Sequence, residues 1–441
     1  MEEKQQSLSD TLRQQYDIDP FPIVPLEHSP QDSRLSLFNH YLTIPYYVRD
    51  RTVVETQGKV ILDAGCGSGY KSLVLATANP GAKVVGVDFS AKSIPVARQR
   101  LQYHHFDTAE FHVLAVEDLA SLNLQFDYIN CDEVLYFLDD PIAGLQAMKS
   151  VLKPDGIIRF NLHSSIQRSH YYRAQQVFKM MGLMDRAPQE LEIGLVREVI
   201  QALKDNVALK QSTWMPSFEV SKEELLMNYL IVGDKGFTIP EMFSILKAAN
   251  LEFISMLIWQ QWRLETLFKD PDDLPAFLAF SLPELSQEEQ LELFELLQPK
   301  HRLLDVWCGH PGRSQPGLPT DEWSLAEWQQ TQVHLHPYLQ TPEFEAAMAE
   351  SAAKCKPLSM KQYWPLADET MTLDSAVVAL LLPLMAGPQS FLSLVARSRQ
   401  LRPLDPVTLT PTHPEEIFRL TTLMLQGLEY SGCILLELRS S

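Results

Sequence analysis

Gly65, Gly67 and Gly69 stand at alternate positions in ILDAGCGSGYK (residues 61–71), behind an apolar run and the carboxylate of Asp63. Glycines in that pattern permit positive φ and a close approach of backbone to ligand, which nucleotide-binding loops need. Two phosphate-binding loops fit poorly. The dinucleotide pattern G-x-G-x-x-G wants a small residue where Tyr70 stands, and the P-loop pattern wants glycine at that same position ahead of Lys71 and Ser72. Either would also set Asp63 beside a polyanion, which it repels. The ligand these residues suit carries positive charge.

S-adenosylmethionine has a sulfonium, an amino group and no phosphate. Asp88 closes the strand-like VVGVDFS nineteen residues beyond Gly69, where a carboxylate can take both ribose hydroxyls. Amides at the start of the helix after the glycines are expected to hold the ligand's carboxylate. Farther on, Cys131, Asp132 and Glu133 follow another apolar run. Asp132 is placed to orient a nucleophile or accept a proton, and a helical turn there brings Glu133 and Tyr136 within reach. Little more is required, because the sulfonium is already activated and in-line placement of the acceptor supplies most of the acceleration.

The elements that must hold these residues follow from the pattern of residues 59–163, where short apolar runs alternate with amphipathic stretches as in successive βα units. Strands are expected at 59–63, 83–87, 111–114, 126–131 and 157–162. Helices are expected at 70–79, from Ser90 to about residue 104, and from Asp140-Pro141, a cap followed by a first-turn proline. Residues 166–231 read as a helical insertion, after which 240–249 and 251–258 restore a helix and a strand. The near-echo LLDVWCGHPGR (303–313) does not read as a second nucleotide loop, because Pro311, Pro316 and Pro319 prevent a helix from opening after it. It reads as the last strand of the same sheet.

Through VILDAGCGSG, VVGVDFS, FDYINCDEVLYFLDDP and LKPDGIIRF the chain resembles the class I S-adenosylmethionine-dependent methyltransferases. The resemblance implies a seven-stranded, mostly parallel, doubly wound α/β sheet of Rossmann-like type. It also implies that Asp63, Gly65, Gly67 and Gly69 hold the methionine part, and Asp88 and Phe89 the ribose and adenine side. The family often has an acid for the adenine amino group where this chain has Ala115, and Glu117 and Asp118 are the substitutes expected there. Residues 14–25, QQYDIDPFPIVP, resemble the aromatic-proline lid of some methyltransferases, with Tyr16 over the cofactor. The resulting organisation is a lid segment at 1–58, a cofactor-binding domain at 59–310 with an insertion at about 165–235, and an α-rich accessory domain, helical or winged-helix, at 320–441.

With 37 basic against 56 acidic residues the chain carries a formal charge of −19, which disfavours nucleic acid as a partner. No run is long enough to span a membrane, and five scattered cysteines form no CxxC pair, so a cytosolic protein with reduced thiols and no metal is expected. The added domains favour a protein as methyl acceptor, at a lysine or asparagine side-chain nitrogen. VGDKGFTIPEMF (232–243) resembles the phycobilisome-associated enzymes that methylate asparagine. Two alternatives stand beside this, a metabolite methyltransferase and a cofactor-binding partner protein without turnover.

Overall fold

The structure, a computed structural model, describes residues 21–185, 187–314, 317–405 and 407–438. Tyr16, expected over the cofactor, lies outside the described residues. Two compact units emerge. The first comprises residues 21–28, Gly58–Ala76 and Ala82–Arg313; the second comprises Ser29–Gln57, Thr77–Gly81 and residues 314–438.

In the first unit β1 (Val60–Ala64), β2 (Lys83–Asp88), β3 (Glu110–Val113), β4 (Phe126–Cys131) and β5 (Leu152–Ser164) run parallel in the order β3-β2-β1-β4-β5. The two-residue β6 (Gly236–Phe237) pairs with the end of β5. Beyond β5 the sheet continues through β8 (Leu303–Gly309) to β7 (Glu252–Met256), both contacts antiparallel, which completes a path of seven strands. The echo segment is therefore a strand of this sheet, as its prolines imply. Helices α1 (Tyr70–Ala78), α2 (Ser93–Tyr103) and α3 (Pro141–Ser150) make the crossovers. The cap at Asp140 accepts hydrogen bonds from the amides of Ile142 and Ala143 and so starts α3 ahead of its proline.

Sheet register explains a polar seam through this core. Asp63 of β1 lies beside Asn130 of β4, and Asn130 lies beside Arg159 of β5. Neighbours in register on one face of a sheet touch, so these three side chains form a row under the strand tips. The insertion contributes α4 (Ser169–Met180), α5 (Glu190–Ala202) and a π-helical turn, Leu226–Leu230. Its own aromatic core includes Tyr171, Phe178, Phe218 and Tyr229.

The second unit is α-rich. Thr331–Leu335 is the middle strand of a three-stranded antiparallel sheet, flanked by Gln389–Ser390 and Ile434–Leu438, and Pro342–Lys354 and Pro414–Tyr430 are its longest helices. Residues 29–57 belong here rather than to an N-terminal lid at 1–58. The reason lies in partners far along the chain: the hydroxyl of Tyr47 donates to Glu429 at 2.9 Å and accepts from the amide of Leu436, while the amide of Val53 donates to Glu437. Among the described residues no helix is long and apolar enough to cross a membrane.

Candidate active site

The tips of β1, β2 and β4 surround a cavity of about 420 Å³, within the usual range for small-ligand sites. Of the residues expected to bind or react, Gly65, Gly67, Asp88, Phe89, Glu117, Asp132 and Glu133 line it. The glycines at 65 and 67 have φ of 81° and 50°, and an added Cβ would lie 2.3 Å from Val134 and 2.2 Å from the Phe21 carbonyl oxygen. No other residue fits at either position. Phe21, Pro22 and Val24, the described part of the expected lid stretch, also line the cavity. Arg100 anchors that stretch, donating to the carbonyls of Val24 and Pro25 at 2.7 and 2.8 Å and to the Ser68 carbonyl at 3.0 Å.

Four expected residues do not line the cavity. Asp63 is 2% exposed and accepts from the Ser72 hydroxyl at 2.6 Å and from Asn130 Nδ2 at 2.9 Å. Its position beside Asn130 in the sheet turns it into the polar seam, outside the cavity lining. Burial pushes its carboxyl up to about 6, against the lowering effect of the Ser72 and Asn130 hydrogen bonds. Gly69 packs α1 on α2, where a Cβ would lie 2.6 Å from the Cα of Ala97. Tyr136 is fully buried and stacks on His163 with ring centroids 3.9 Å apart, because the 3-10 turn Leu135–Phe137 directs Phe137, not Tyr136, to the cavity. Asp118 fails for a similar reason. It follows Glu117 in the 3-10 stretch Val116–Leu122, where one step rotates the side chain by roughly 120° away from the cavity.

The amides of the glycine loop itself, ahead of the helix, are taken up within the fold. Those of Gly65 and Cys66 donate to the Val87 carbonyl, that of Gly67 to Asp88 Oδ2 at 2.9 Å, and that of Ser68 to the Phe21 carbonyl. Among the described residues that line the cavity Lys71 is the one cation. It pairs with Asp132 at 2.6 Å; burial works to lower the lysine pKa, but Asp132, with Glu133 nearby, outweighs it and the pKa is raised. Only the P-loop comparison drew attention to Lys71 in the sequence. The signal that marks it is its place in the first turn of the helix after the glycines.

At the β4 end Asn161 holds two acids at once. Its Nδ2 donates to Asp132 Oδ1 at 2.6 Å, and its Oδ1 accepts the Glu133 amide at 2.8 Å. Glu133 has φ of 59°, sparsely populated for a residue with a side chain and concentrated at functional sites. Its carboxylate is paired with Arg302. Asp139, Val134, Phe137, Leu138 and Met227, the last from the π-helical turn of the insertion, complete this end. Replacing Glu117 with alanine is expected to weaken binding of S-adenosylhomocysteine by about fivefold, the value of one hydrogen bond, while Asp118→Ala leaves it unchanged by calorimetry.

A family model described as a methyltransferase domain matches residues 55–223. An uncharacterized protein of Synechococcus sp. is 27% identical over 326 residues, covering 72% of this chain and 74% of that one. The ubiquinone biosynthesis O-methyltransferase of Thiobacillus denitrificans is 30% identical over 182 residues, 40% of this chain and 77% of its own length. The match to the Actinobacillus pleuropneumoniae enzyme of the same description spans 55% of that protein. Among solved structures, PKMT2 from Rickettsia typhi in complex with AdoHcy shares the fold with a TM-score of 0.59 at 13% identity, over 90% of this chain and 76% of that one.

Proposed function

The chain belongs to the S-adenosylmethionine-dependent methyltransferases of class I, and from that premise we propose that it methylates a protein at the side-chain amine of lysine. The residues of the cavity suit the cofactor. Glycines at 65 and 67 that exclude any Cβ, the Asp88 carboxylate at the tip of β2 and a single lining cation match a ligand with two cationic groups, a ribose and one carboxylate. Asp88 would take the ribose hydroxyls, Phe89 and Glu117 the adenine side, Lys71 the carboxylate and Asp132 the amino group. Bound there, S-adenosylmethionine supplies an electrophilic methyl carbon whose leaving group is a neutral thioether.

The observation that carries the lysine reading is the β4 end of the cavity. Asp132, Glu133 and Asp139 line the cavity together with the apolar Val134, Phe137, Leu138 and Met227. A lysine side chain has the complementary form, an aliphatic stem with a cationic head. The apolar residues take the stem and exclude water, and the carboxylates orient the nitrogen. Glu133, whose side chain is 27% exposed, accepts a proton from the ammonium and passes it to solvent, which leaves the nitrogen lone pair for the methyl carbon. A neutral asparagine amide has no comparable use for the Glu133 and Asp139 carboxylates that remain once Asp132 serves the cofactor, so the asparagine alternative is the weaker of the two.

A macromolecular acceptor is further supported at the surface. Phe277 and Phe280 are 79% and 80% exposed on one side of a short helix, in a segment carrying Asp270, Asp272, Asp273, Glu284 and Glu288. Exposed aromatics among acids suit a basic protein. Five free thiols agree with a reducing compartment such as the cytosol. A second reading, O-methylation of a small aromatic, is favoured by the largely apolar lining and by the ubiquinone biosynthesis O-methyltransferases among the relatives that the chain matches in part. Incubation with methyl-labelled S-adenosylmethionine and extract of the native cells separates the two. Label in a protein band is expected; label confined to organic extractables would support the second reading.

A further inference from the structure

Behind Glu133 a chain of polar groups, buried beyond the partly exposed Arg302, runs from the cavity to the insertion. The Glu133 carboxylate is held by Arg302, and Arg302 Nη1 lies 3.0 Å from His163 Nε2. An arginine only donates, so Nε2 accepts and the ring carries its proton on Nδ1. That proton is donated to Asp234 Oδ1 at 2.6 Å. Asp234 Oδ2 in turn accepts from Arg168 at 2.8 Å and from Gln175 at 3.0 Å. Arg168 also donates to Asn228, the residue directly after Met227 of the cavity wall.

Burial and charge both favour this arrangement. The side chains of His163, Asp234 and Arg168 are at most 1% exposed. With His163 neutral, the two carboxylates and two guanidiniums cancel. A second proton on His163 would turn Nε2–H toward a guanidinium, and burial likewise disfavours the imidazolium. Tyr136, stacked on His163, fixes the plane of the ring. The tautomer is therefore set from the insertion side, and it sets the direction of Arg302.

We propose that Arg302, His163 and Asp234 are positioning residues for methyl transfer, which hold the Glu133 carboxylate toward the acceptor and tie its orientation to the seating of the insertion over the cavity. The proposal rests on the reading of Glu133 as the group that meets the acceptor nitrogen. None of the three lines the cavity, so they act only through Glu133.

Two measurements on the full chain test it. In a sample labelled with ¹⁵N-histidine, His163 is expected to show a protonated Nδ1 and an unprotonated Nε2, assigned by its absence in His163→Gln. An Nε2-protonated ring overturns the relay whatever the acceptor proves to be. In label transfer, His163→Phe keeps the stacking on Tyr136 and is expected to lower turnover roughly 100-fold, the cost of a misplaced reacting group, with calorimetric affinity for S-adenosylhomocysteine within twofold. Glu133→Gln should cost as much, and the double variant no more than either alone. His163→Gln, whose amide can both accept from Arg302 and donate to Asp234, is expected to restore most of the rate. Additive losses, or a loss that follows cofactor affinity, would overturn the proposal. Failure of wild-type protein to label any amine would instead overturn the acceptor reading and leave the tautomer result standing.

Discussion

An Asp88→Ala variant loses about 100-fold or more in affinity for S-adenosylhomocysteine. Two hydrogen bonds from ribose hydroxyls to a carboxylate contribute about 1.5 kcal/mol or more each, and about 3 kcal/mol is a factor of roughly 100. A further loss acts in the same direction, because Asp88 Oδ2 accepts the Gly67 amide at 2.9 Å and Oδ1 accepts the Ser90 amide at 2.8 Å. Without those acceptors the glycine loop and the start of the following segment loosen together. Asp88→Asn keeps one oxygen and should fall between wild type and alanine. Calorimetry gives the affinities, and thermal unfolding without ligand separates loop loosening from lost ligand contacts. An unchanged dissociation constant in Asp88→Ala would remove the ribose assignment.

Arg159→Met destabilises the first unit by about 3–5 kcal/mol, the usual cost of stranding a buried partner charge. Arg159 is 3% exposed and donates to both oxygens of Asp305, at 2.9 and 2.7 Å, with Asp132 at 3.8 Å and Asn130 Oδ1 at 3.4 Å. Burial already raises the Asp305 pKa, against the opposing attraction of Arg159. With the guanidinium gone the carboxyl rises further and takes up a proton on folding. A native state that binds more protons than the unfolded one loses stability as pH increases, so the variant should be hurt more at pH 8 than at pH 5. Arg159→Met combined with Asp305→Leu should recover most of the loss, since an apolar pair of similar volume avoids the stranded charge. Chemical denaturation at the two pH values checks both the size and the sign.

Much of the sheet, and of the cavity lining at the candidate cofactor end, was legible because the information is local. The glycines at 65 and 67, Asp88, Phe89 and Glu117 follow strand tips within one stretch of chain, and the order of strands in a parallel sheet brings those tips together. What was not legible depends on distant partners or on local rotation. Asp63 resembles a ligand group in the sequence, but Asn130 and Ser72 claim it. Tyr136 was displaced by a 3-10 turn, whose step differs from the helical turn expected there, and Asp118 is turned away by one step of another 3-10 stretch. Arg302, His163 and Asp234 come from three separate segments, and nothing in the spacing of an isolated histidine or arginine announces that they meet behind Glu133. Residues 29–57 were misread for the same reason, since their partners Glu429 and Glu437 lie at the far end of the chain.

The acceptor atom is the point on which the functional account turns. Protein labelled from methyl-labelled S-adenosylmethionine should be hydrolysed in acid and its amino acids separated. Label that co-elutes with ε-N-methylated lysine is the predicted result. Label released as base-labile methanol, or recovered with a methylated asparagine amide before hydrolysis, would contradict the proposal that these carboxylates receive an amine.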